Sequence, residues 1–298
     1  MRLYVLRCAK WDFINTTDMI VVSNRKELKE LIKQRIEEQG LRCNLNDIDV
    51  SRVTNMSCLF KDSYFNGDIS QWDVSNVVDM SCMFARSNFN GDISNWNVSN
   101  VVDMSCMFLG SSFRGDISRW NVGRVENMSH MFVYTKFNGD ISRWNVGRVE
   151  NMSHMFEGSA FNSNIPDWDV SSVENMSHMF EGSSFTGDIS KWNVSRVEDM
   201  SYMFSESKFN NDISQWNVSS VKNMCYMFSV SRFNGDISQW NVSSVKNMTA
   251  MFRYSSFRGK ISKWDVRSVE YVSGMFEGLS FWYRRPSWYR VKKKLLQY

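Results

Sequence analysis

Proline is nearly missing from the chain, with two in 298 residues beside 15 glycines, and this excludes collagen-like and Pro/Gly-rich low-complexity classes. No stretch approaches the roughly 18 consecutive apolar residues that a membrane-spanning helix needs. The start offers only Leu3 to Leu6 as an apolar run, too short for the core of a secretory leader, so the sequence alone leads to the expectation of a cytoplasmic protein. Six cysteines in a chain of this length are too sparse for a disulfide scaffold, and reduced thiols are expected. Charge of one sign is lacking too, since 35 Lys and Arg face 32 Asp and Glu. The exception is the end, where Arg284, Arg285, Arg290, Lys292, Lys293 and Lys294 have no acid among them. P-loop, dinucleotide-fingerprint, H-E-x-x-H and C-x-x-C motifs are all absent. A non-enzyme without a cofactor or metal is therefore expected.

What abounds is bulky: 20 Met, 12 Trp and 21 Phe. Their placement is periodic. Trp72, Trp96, Trp120, Trp144, Trp168, Trp192, Trp216, Trp240 and Trp264 recur at one fixed interval without insertion or deletion. Written from its Phe, the unit reads F-x-G-D-I-S-x-W-x-V-S-x-V-x-x-M-S-x-M-F-x-x-S-x. Full copies start at Phe65 and follow at the same interval to Phe257, after a degenerate copy from Leu41. Such a unit cannot cover its own apolar face, so copies must stack as coils of a solenoid. Trp72 and Val74 alternate with Gln71 and Asp73 as in a short strand, and Val77, Met80, Met83 and Phe84 have helical spacing. The box S-x-x-E at Ser171 with Glu174 and at Ser195 with Glu198 reads as a helix start. The expected fold is an α/β solenoid, a leucine-rich-repeat-like array of ten 24-residue strand-turn-helix coils with caps at both ends. Residues 1–40 form the N-terminal cap, with a strand at Ile20 to Val22 and a helix from Asn24 to Gly40. Residues 41–281 form the array, and residues 282–298 a basic aromatic cap or tail.

The spacing I-x-x-W-x-V-S-x-V-x-x-M-S-x-M-F resembles that of BspA-like leucine-rich-repeat surface proteins, closest to the mycoplasma-type branch with F-N-x-D-I-S-x-W-D-V-S-x-V-x-x-M-x-x-M-F units. The resemblance implies adhesion or protein binding rather than catalysis, and a surface or secreted location. The secretion signal that such relatives often carry is not seen here.

In a stack, each unit position becomes a stripe with a spacing of about 5 Å. The Trp, Met and Phe stripes read as core. A stripe of Asn and Asp alone, from Asp49 and Asp73 to Asp265, reads as amides bonded to each other and to backbone along the stack rather than as a calcium or sugar-binding ladder. Cys58, Cys82, Cys106, His130, His154, His178, Tyr202, Tyr226, Ala250 and Gly274 form another stripe. Zinc ligation or a Cys106–His130 nucleophile is conceivable there, but ligands in line do not converge, and a helix-edge packing position is expected.

The outward strand position varies most and includes Arg119, Arg143, Asp167, Lys191 and Gln215. Beside it run Arg124 and Arg148. On an exposed sheet face these are the candidate partner-binding residues, suited to a protein or an acidic glycan, with Glu126 and Glu150 as partial counter-charges. The alternative is a nucleic-acid or membrane-surface binder acting through the tail residues Trp282, Arg284, Arg285, Trp288, Arg290, Lys292, Lys293 and Lys294.

Overall fold

The computed structural model describes residues 19–280 and 284–295, the side chains of 293–295 excepted. A carboxylate or amide side chain two residues before a serine offers that serine's N–H a local partner, which closes an Asx-turn and competes with helix formation. Most coils use this device three times, as in the strings D-I-S-Q-W, D-V-S-N-V and D-M-S-C-M of residues 68–83. Asp68 accepts from the Ser70 amide at 2.9 Å, Asp73 from Ser75 at 3.0 Å and Asp79 from Ser81 at 2.9 Å. The following residue closes each corner, with Trp72 N–H reaching Ile69 O, Val77 reaching Val74 and Met83 reaching Met80 at 3.2, 2.9 and 3.1 Å. A fourth corner, Phe84 to Ser87, closes at 3.1 Å. Each corner sends its first and last residues inward, the last of the fourth being the buried Ser87. Ile69, Trp72, Val74, Val77, Met80, Met83, Phe84 and Phe89 are all buried.

The strand and helix expected in each coil are therefore not what these residues form. Among the described residues of the array, the only strand is β2 (Ile48–Asp49), paired in parallel with β1 (Ile20–Val21), and no helix occurs there. Apolar residues at i and i+3 suit a tight corner as well as a helix. What blocks the helix is the left-handed backbone at the third residue of the last two corners, with φ 55° at Cys82 and 53° at Arg86. The expected capping boxes dissolve likewise: the Ser171 and Ser195 amides go to Asp169 and Asn193, and Glu174 N–H reaches Glu150 O in the coil before.

Coils stack by two different means. Along one wall the backbone does it, with Met80, Cys82, Phe84 and Arg86 N–H groups donating to Asp103, Ser105, Met107 and Leu109 carbonyls of the next coil at 2.7 to 2.9 Å. Parallel bridges repeat there from Asn55↔Asp79 to Asn247↔Tyr271. Along the other wall side chains span the gap. Each indole donates to a carbonyl of the coil before, Trp96 to Ile69 at 3.1 Å and so on to Trp264 with Ile237. Inside, Phe rings run in two files, with Phe84 5.8 Å from Phe108 and Phe89 6.5 Å from Phe113.

Both described ends of the stack are closed by helices. Helix α1 (Arg25–Gln39) starts where Asn24 accepts from the Glu27 amide, and stops at Gly40 with φ 87°. Its Leu28 and Ile32 are buried on the first coil. Helix α2 (Ser287–Leu295) sets Trp288 one period after Trp264, and its indole donates to Ile261 O at 3.0 Å, so the tryptophan file continues into the helix.

Candidate binding face

Arg119 and Arg143 are third residues of the corners Ile117–Trp120 and Ile141–Trp144, and both are exposed. The expected sheet face is a row of corners instead, because Asp116 and Asp140 hold the Ser118 and Ser142 amides and bend the chain at each coil. Corner and corner together make a groove of about 680 Å³ lined by Asp116, Ser118, Arg119, Asn121, Asp140 and Arg143 among others. The two carboxyls are held below the usual carboxylate range first by the serine amides, with the arginines contributing less. Among the ion pairs of the described residues, none involves Arg119, Arg143 or Arg148. Two guanidinium groups thus stand on adjacent coils with their donors free for a planar or tetrahedral oxyanion.

The other expected face residues are distributed differently. Asp167, Lys191 and Gln215 are exposed on the same corner of the next three coils, outside the groove. Arg124 and Arg148 sit one corner further round. Arg124 donates to Asn100 Oδ1 at 2.8 Å, and among the described residues Glu126 and Glu150 form no ion pair with Arg124 or Arg148. The groove acids Asp116 and Asp140 are legible in sequence as turn residues; that they also flank the arginines follows only from the corner geometry.

The tail is mostly engaged. Tyr289 is buried and meets Phe276 edge-on at 4.8 Å. Lys292 Nζ donates to the carbonyls of Arg267 and Val269, both at 2.9 Å, and Arg285 to Phe276 O at 3.5 Å. Arg284 and Arg290 are exposed. Trp282 and the side chains of Lys293 and Lys294 lie outside the described residues.

The Cys, His and Tyr stripe occupies a left-handed corner position throughout, with φ from 51° at Ala250 to 63° at Gly274, and not the edge of a helix. His130, His154, His178, Tyr202 and Tyr226 form one stacked file with centroids 4.1 to 4.6 Å apart. His154 and His178 meet Glu157 and Glu181 through Nδ1 at 2.6 and 2.5 Å. Among the described residues no group of three or more metal-ligating side chains converges. Burial, then the neighbouring thiols, pushes Cys82 up to about 12, the opposite of an activated nucleophile. The Asn and Asp stripe also differs from the expected amide ladder: its members hold the amide two residues on in their own coil, as Asn193 holds Ser195.

A family model described as "Mycoplasma protein of unknown function, DUF285" matches residues 26–136, 111–208 and 182–288 in three overlapping segments. No curated protein and no solved structure matches.

Proposed function

Since the chain belongs to this family of mycoplasma-type repeat proteins, whose description assigns no activity, we propose from the residues themselves that it is a non-catalytic solenoid scaffold. In this reading it binds an acidic protein or acidic glycan through the corner face centred on Arg119 and Arg143. The carrying observation is the pair of exposed guanidinium groups without ion pairs, one above the other in a groove of about 680 Å³. Asp167, Lys191 and Gln215 extend the contact along the same corner. Rigid corners present these side chains at low ordering cost, which favours recognition over a broad surface. Kinship with BspA-like surface proteins, and with it adhesion, belongs to the same proposal; it is supported by the F-N-x-D-I-S-x-W units of the sequence. Leucine-rich-repeat likeness is then one of repeat spacing rather than of strand and helix.

The tail reading is weaker, because Trp288, Tyr289 and Lys292 are spent on closing the last coil. The test compares intact protein with Arg119→Glu/Arg143→Glu in binding to polyglutamate and to an acidic oligosaccharide. At least a 10-fold loss is expected with unchanged unfolding, because exposed charges contribute little to stability. Equal binding by the double variant would refute the reading.

A further inference from the structure

One position of the corner wall reverses its charge at the C-terminal end. The acceptor that opens the first corner is Asn44, Asp68, Asp92, Asp116, Asp140, Asp188, Asp212 and Asp236 in successive coils, each bonded to the amide two residues on at 2.8 or 2.9 Å. The coil between Asp140 and Asp188 has Asn164 there, followed by Pro166, which has no amide to hold. The next two residues of the file are Lys260 and Arg284. Ser262 keeps its N–H, but the acceptor that those coils supply is replaced by an ammonium group, and no hydrogen bond of the described residues reaches that amide.

The same place is a groove of about 540 Å³ lined by Arg258, Lys260, Ser262, Arg284, Arg285 and Ser287, among others. None of its four cations has an ion pair among the described residues. Asp236, the nearest acid in the file, is committed to the Ser238 amide. The opposite wall is the entry to α2, whose first turn holds no acidic residue. Four like charges crowded around one groove repel one another unless an anion joins them. Ser262 N–H supplies a neutral donor where the carboxylate would have sat.

The geometry points to a second binding site, for a compact ligand carrying clustered phosphate groups. Two or more phosphates would engage Arg258, Lys260, Arg284 and Arg285, while one oxygen takes the Ser262 amide in place of the missing carboxylate. Several cations around a groove of this size suit a polyphosphate or a sugar bisphosphate better than a single small ion. The site is separate from the Arg119–Arg143 groove and does not depend on it.

Titration calorimetry on the full chain at low salt, with inorganic tripolyphosphate and a sugar bisphosphate as probes, tests the assignment. Either probe should bind, and the stronger shows whether a phosphate chain or a phosphorylated sugar is preferred. Lys260→Asp restores the acceptor found in seven other coils, so it should fold and should weaken binding at least 10-fold. Arg119→Glu/Arg143→Glu should leave the Lys260-dependent part of phosphate binding unchanged, which separates failure here from failure of the proposed function. Binding that is absent for both probes, or equal in Lys260→Asp, would overturn the site. So would tighter binding of a single-stranded oligonucleotide that ignores the Lys260 change.

Discussion

The two walls of the stack solve one problem in different ways. On the wall of Met80 to Arg86, backbone amides reach the next coil directly, and the outward side chains are free to change, from Cys through His and Tyr to Ala and Gly at a single position. On the wall of Ile69 to Val77, backbone amides are spent inside the coil on corners and Asx-turns, so contact with the neighbouring coil falls to side chains. There Trp recurs unchanged in all nine full copies. On the corner wall the inward Trp that carries the stacking is fixed while the outward position varies, from Gln71 through Arg119 to Lys191; on the ladder wall, where the backbone carries the stacking, the left-handed position is free to vary.

Breaking the side-chain wall should have the largest effect. Trp168→Ala removes a ring that stacks 6.4 Å from Trp192, donates to Ile141 O and is 3% exposed. The loss should be about 3 to 5 kcal/mol in denaturant unfolding. An unchanged midpoint would mean that the backbone wall suffices alone.

Acid comes next. Asp68, Asp92, Asp116, Asp140, Asp188 and Asp236 have carboxyls lowered mainly by backbone bonds from serine. The unfolded chain therefore binds protons more readily, so this stability is present above the ordinary carboxylate range and is lost as pH falls through the lowered values. Thermal melts should show an acid limb below about pH 4. An Asp-to-Asn change at several of these sites, which keeps the acceptor, should flatten it.

A single Asx-turn is smaller. Asn193→Ala frees the Ser195 amide and should cost about 1 kcal/mol. On the other wall Val230→Gly should gain about 1 kcal/mol, because a β-branched residue stands there at φ 54° and 52% exposed, where Gly110, Gly158 and Gly182 stand in other coils. A loss instead would show that the ladder wall also depends on its side chains. The smallest signal is His130, whose imidazole is lowered by burial and then by His154. Its protonation favours the unfolded chain, so stability should dip as pH drops below about 6.5 and level off below the lowered value. His130→Asn should remove the dip.

The period, the inward positions and both limits of α1 are legible in the sequence, because burial at a fixed interval, the Asn24–Glu27 pair and Gly40 each have one physical reading. The corner is not. I-x-x-W, V-x-x-V and M-x-x-M satisfy helical spacing and two-residue corners equally, and the deciding groups are the Asn or Asp before each triplet and the Ser within it. Cys, His and Tyr at the left-handed position hide the turn that Gly would have announced, and only Gly274 at the end of that stripe hints at it. Arg119 and Arg143 are legible as neighbours, while Arg124 and Arg148 would join them only on a flat strand, and the chain bends between the two pairs. Trp288 reads as part of a tail by composition, although its distance of one period from Trp264 marks it as the last indole of the file.

Amide hydrogen exchange across one mid-array coil, residues 173–196, tests the two-wall architecture most directly. Met176, His178, Phe180 and Gly182, whose N–H groups donate to the next coil, should exchange slowest, while Lys191 and Arg196 on the corner wall exchange orders of magnitude faster. Continuous protection over residues 173–180 with helical shifts, or equal protection on both walls, would contradict it.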